Sequence, residues 1–80
     1  MDMKEISEIR KEIKELSEIL QDLESSMEAT RKLISNQTKY YTREFVQEKL
    51  DEFSKHPNYD KIRKLQILIR EKRQSVIDAI

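Results

Sequence analysis

The 80-residue chain has no cysteine, no glycine and no tryptophan, and only one proline and one histidine. Each scarcity removes a class of chemistry. Without cysteine there is no disulfide framework, no zinc–thiolate site, no iron–sulfur cluster and no thiol nucleophile. Without glycine there is no phosphate-cradling loop and no dinucleotide fingerprint, and no serine stands in the setting of a nucleophile elbow. Long apolar runs are missing too. The opening MDMKEISEIRKEIKEL has no uninterrupted apolar core of the kind a secretory signal needs, and no stretch suits a bilayer span. The expectation is a cytoplasmic protein with no membrane contact.

What is present is charge and periodicity. Charged side chains make up 40% of the chain, 16 basic against 16 acidic, and hydrophobic residues only 36%. The apolar residues nevertheless recur at alternating spacings of three and four: Ile6, Ile9, Ile13, Leu16, Leu20, Leu23, Met27 and, past the polar slot at Thr30, Ile34. This is a heptad repeat on one long helix. Ile19 and Leu33 fall one position before Leu20 and Ile34, which widens the stripe and favours a bundle over a two-stranded zipper. So small and polar a chain makes a thin core on its own, and small scaffolds often gain stability by oligomerising. The eight seam residues are therefore the expected oligomerisation surface, with a second copy as partner.

The heptad phase does not continue past Ile34, because Phe45, Val46, Leu50 and Phe53 would point away from the seam. A break within SNQTKYYT explains this, since Ser35, Asn36 and Thr38 compete for backbone bonds and Asn36 suits a left-handed cap. The alternative is one helix running to about residue 54. Thr42 can cap a second helix, and the lone proline in SKHPNYDK forces His56 out of helical geometry and suits the first turn of a third. The expected layout is a long helix over about 3–35, a break at 36–41, a second helix at about 42–55, a turn at 55–58 and a third helix at about 58–79. Its apolar face is Ile62, Leu65, Ile69, Val76 and Ile80. The fold class is all-α, one domain over 1–80: a long N-terminal heptad helix plus a C-terminal helical hairpin, a coiled-coil-like bundle of two or three helices.

Charge is uneven along the chain. Residues 1–30 carry nine acids and four bases, residues 31–56 four and six, and residues 57–80 three and six, so a net −5 faces a net +5. Antiparallel packing of the last helix on the first brings these together, within one chain or between two. Surface pairs of this kind contribute about 0–1 kcal/mol each and select orientation more than they add stability.

No constellation suggests catalysis, and no cofactor or metal is expected. Glu5, Glu8, Glu12, Glu15 and Glu18 line neighbouring turns, but a carboxylate metal bundle also needs histidines on facing helices, and His56 lies in the turn. Lys61, Arg63, Lys64, Arg70, Lys72 and Arg73 are the best case for a nucleic-acid surface. They spread around the helix at about 100° per residue rather than forming a stripe. Ile67 departs from the apolar face and lies among Arg63, Arg70 and Gln74, an apolar anchor flanked by donors, and these four are the candidate surface for another protein. Tyr40 and Tyr41 read as a staple at the break.

The segment HPNYDKIRKLQILI resembles in outline the helix-turn-helix hairpin of the small sporulation phosphatases. Where those carry a Ser-Gln-x-Leu-Asp core, this chain has Leu65, Gln66, Ile67, Leu68 and Ile69, so the aspartate is missing and the resemblance implies no such activity. The functional expectation is a non-enzymatic oligomerisation, adaptor or regulatory module. The alternatives are a small nucleic-acid-associated factor using the third helix, and a small helical inhibitor or immunity-type protein.

Overall fold

A computed structural model describes residues 2–79, all α-helical apart from the connections. Helix α1 is Met3–Ser35, a 3-10 turn occupies Asn36–Lys39, α2 is Arg43–Phe53 and α3 is Pro57–Ala79. Ile80, expected on the core face of the third helix, lies outside the described residues.

Local chemistry accounts for each helix start. Asp2 has an extended backbone and its carboxylate accepts from the Glu5 N–H at 2.8 Å, while Thr42 Oγ1 accepts from the Phe45 N–H at 3.2 Å. Both are N-caps satisfying donors that the first helical turn leaves free. Pro57 opens α3, where its missing N–H costs nothing, and His56 Nδ1 accepts from the Asn58 N–H at 3.0 Å. The histidine is a cap that needs an unprotonated Nδ1.

The exit from α1 differs from expectation. Asn36 keeps right-handed angles (φ −72°, ψ −12°), and no described residue has positive φ. The chain tightens into the 3-10 turn, then reverses through Tyr40, Tyr41 and the extended Thr42 (ψ 156°). At the second connection Ser54 also stays right-handed (φ −62°, ψ −17°), and the path bends rather than reverses.

Consequently α2 and α3 do not form a hairpin with each other, as their sequence suggests and as the outline of the sporulation phosphatases implies. They run end to end as one broken arm that packs antiparallel along α1. Asn58 Nδ2 reaches Met27 Sδ at 3.6 Å, and Lys72 Nζ meets Glu12 at 2.7 Å. The result is a rod measuring 59 by 16 by 15 Å. Its radius of gyration is 18.1 Å, where a compact 80-residue globule has about 12 Å.

Candidate interaction surface

Among the seam residues, Ile6 and Met27 are buried, and Ile9, Ile13, Leu16, Leu20, Leu23 and Ile34 are half-buried. What covers them is their own chain. Leu20 lines a groove with Ile69 and Ile77, Met27 one with Tyr59 and Ile62, and Ile34 one with Phe45 and Phe53. The expected oligomerisation seam is thus the intramolecular core. The reason is length: at about 1.5 Å per residue, α2 and α3 placed end to end match α1. The core they make is thin, with Ile6, Met27, Val46, Ile69 and Val76 buried and no described side chain fully so.

A single covering arm leaves both sides of the seam open, and the two sides differ. Ile19 and Leu33 share a phase on α1 and are 55% and 67% exposed. Glu12 stands seven residues before Ile19, so its ion pair with Lys72 marks the edge of α3 that borders this flank. Leu65 and Leu68, seven and four residues before Lys72, lie along the same edge; Leu65 is half-buried and Leu68 exposed. At the tip of the rod an open groove of about 420 Å³ is lined by Ile34, Tyr41, Phe45, Lys49 and Phe53. There Tyr41 stacks on Phe45 at 4.9 Å and Lys49 Nζ stands 5.4 Å from the Phe45 ring centre. Tyr41 therefore does staple the reversal, whereas Tyr40 is 82% exposed and does not.

Charge borders this flank on both helices. Glu8, Glu15 and Asp22 recur every seven residues beside the Glu12–Ile19 line of α1, while on α3 Lys61 and Lys64 flank Leu65 and Leu68 and Glu71 follows Lys64 by seven residues along the same line. All six are exposed. The opposite side of the seam is open as well. Its groove of about 560 Å³ is lined by Ser17, Gln66, Arg70, Arg73 and Gln74 around Leu20, Ile69 and Ile77.

The other sequence candidates sit as follows. Arg63, Ile67, Arg70 and Gln74 are all exposed, and Arg70 and Gln74 line the groove that α3 makes with Ser17 and Leu20 of α1. Arg63 leans towards Asp60 at 3.9 Å, and the Gln74 amide donates to Asp78 at 2.8 Å. The six bases of α3 do not converge. Lys64 pairs with Asp60 at 3.0 Å and Lys72 with Glu12, which spends their charge within the chain. Lys64, hydrogen-bonded to Asp60, holds that carboxyl below its ordinary value, and the two bonds from Arg31 Nε and Nη2, at 2.9 and 2.7 Å, do the same to Glu28. Among the described residues no three or more histidine or acidic side chains come together as a metal would need. No helix there is long and apolar enough to cross a membrane.

Sequence reasoning placed Ile19 and Leu33 beside the seam but did not find the flank as a unit. The signal was the phase shared by Glu12 and Ile19, which gains meaning only once Lys72 is known to lie opposite. Comparison with known protein families, with curated proteins and with solved structures finds no match for this chain.

Proposed function

We propose that this chain is a non-enzymatic protein-interaction module, which associates with a second copy through the flank bearing Ile19 and Leu68. The outer face of α3, with Arg63, Ile67, Arg70 and Gln74, stays free for a different protein, so the assembly acts as an adaptor. The observation that carries this reading is excess surface. The chain exposes 6509 Å², whereas a compact folded protein of its 9.7 kDa exposes about 5,100 Å². Part of it is apolar side chain on one flank, where Ile19, Leu33 and Leu68 are exposed, and apolar side chains grouped on one face support a protein contact.

Sedimentation equilibrium across the micromolar range tests the reading. The expected mass approaches twice 9.7 kDa. Ile19→Glu returns the protein to monomer while its helical circular dichroism persists, because the side chain is exposed in the single chain. A wild-type monomer throughout that range overturns the proposal.

A further inference from the structure

The groove on the side of the seam opposite Ile19 gathers cations from both helices. Arg70 and Arg73 line it on α3, Ser17 on α1, with Leu20 and Ile69 beneath and Ile77, 63% exposed, towards the termini. Arg10 stands seven residues before Ser17 and Lys14 three before it, so both share that side of α1. Glu12 pairs with Lys72 and Met27 meets Asn58, so the numbers of facing residues sum to about 84, which sets Arg70 level with Lys14 and Arg73 close to Arg10. All four cations are exposed. Among the described residues none of them forms an ion pair, whereas Arg31, Lys49, Arg63, Lys64 and Lys72 are all engaged by carboxylates.

The acids at these heights stand elsewhere. Glu8, Glu12, Glu15 and Glu71 border the Ile19 flank, and Asp78 continues the Glu71 line, where it accepts from the Gln74 amide. Glu18 is one residue past Ser17, about 100° further round on the outer face of α1. On the groove side of α1 the next acid is Glu24, ten residues beyond Lys14 towards the tip. That is about 15 Å, past the ~8–10 Å over which exposed charges act in physiological salt. Four positive charges thus stand uncompensated along a groove whose α3 wall, Gln66 to Ile77, is about 17 Å long.

We infer that this groove receives an acidic amphipathic helix of another protein, with its apolar stripe on Leu20, Ile69 and Ile77 and its carboxylates on Arg10 and Lys14 to one side and Arg70 and Arg73 to the other. This names the chemistry of the second partner in the adaptor reading and rests on that reading. The charge selects an acidic occupant. The apolar floor selects a protein, because a phosphate backbone would lay polar oxygens over Ile77 and, continued towards the tip, would meet Glu24. A groove between two antiparallel helices runs lengthwise and admits a third at the usual ~8–10 Å spacing, as amphipathic helices dock in grooves elsewhere. The guanidinium forks of Arg70 and Arg73 can each hold a carboxylate by two parallel bonds, which adds direction to charge.

The probe is a fluorescent, acetylated peptide of about 18 residues, five helical turns, with a leucine every third or fourth residue and glutamate on both sides of that stripe. A second peptide keeps the leucines and carries lysine in place of glutamate. In anisotropy titrations the full chain binds the glutamate peptide at least roughly tenfold more tightly than the lysine peptide, and the amide shifts it causes cluster at Ser17, Gln66, Arg70 and Arg73. The double variant Arg70→Glu, Arg73→Glu reverses the preference with its helical circular dichroism unchanged, because both side chains are exposed. Loss of fold does not produce a reversal. Equal binding of the two peptides, no binding of the glutamate peptide, or shifts confined to the Ile19 flank overturns the inference. So does a random-sequence DNA duplex that takes the groove more tightly than the peptide, or a wild-type mass that climbs past two chains and falls back in the double variant, since the groove would then hold a phosphate backbone or a further copy. Sedimentation of the chain alone reads self-association through the other flank, so failure there and failure of the groove are told apart.

Discussion

Ile67 and Ile69 offer a matched pair for testing the packing of α3. They are the same residue type two positions apart in one helix, yet Ile69 is 5% exposed against α1 and Ile67 is 46% exposed on the far side. Replacing either with Ala changes intrinsic helix propensity equally, so the difference between the variants isolates burial. Ile69→Ala removes three buried carbons, worth about 2.4 kcal/mol at ~0.8 kcal/mol each. The rod is thin enough for water and neighbouring side chains to fill the gap, so the expected loss stays near the low end of the 2–5 kcal/mol range for such truncations, about 2–3 kcal/mol. For a chain this size that lowers the melting temperature by roughly 10–20 °C. Ile67→Ala changes stability by less than about 0.5 kcal/mol, as surface substitutions generally do. Thermal and urea melts followed at 222 nm, at matched protein concentration, give both values. Equal effects of the two variants would refute the orientation of α3.

Three further outcomes follow from the same contacts. Ile67→Glu leaves helicity and self-association unchanged in circular dichroism and sedimentation, because the side chain lies outside both the core and the proposed dimer face; unfolding would mean that it is buried. His56→Ala removes the cap on the Asn58 N–H and costs about 0.5–2 kcal/mol in a urea melt, and a neutral result would show that the bond does not cap α3. Glu28 and Asp60 titrate below their ordinary values when folded, so the stability that they contribute is present above the unfolded values and is lost as pH falls through the folded ones. Both pairs are exposed, so melts repeated from neutral pH down to about pH 3 show a small loss below about pH 4.5, reduced in the Glu28→Gln, Asp60→Asn double variant. A loss that begins near neutrality would point to other groups.

The all-α class and the positions of the connections were legible because they rest on local rules. Asp2, Thr42 and Pro57 are start signals that act within one turn, and the loss of heptad phase after Ile34 marks the reversal. The path through the connections was not legible. A chain without glycine, in which no described residue takes positive φ, can leave a helix by bending or by reversing, and both Ser35 and Ser54 precede polar segments of similar composition. Reversal follows Ser35 because Thr42 is extended; at Ser54 the backbone stays helical almost to His56. That difference decides which residues meet. With α3 continuing α2, the seam finds its cover inside the chain, and the surface left for a second copy moves from the seam to its flank. A heptad repeat states that a helix needs a partner, but the identity of that partner is a long-range property. Glu12 and Lys72, 60 residues apart, carry that information in this chain.

Small-angle scattering on the protein as it elutes from a sizing column tests the central claim most directly, since one profile gives both mass and length. A hairpin that pairs flank to flank doubles the mass to about twice 9.7 kDa while its longest dimension stays close to that of the single rod, 59 Å between outermost Cα atoms. Doubled mass with a particle about twice as long would mean that α1 and the arm open and the seam joins copies end to end, and a single-chain mass at every concentration would contradict the completion of the bundle by a second copy.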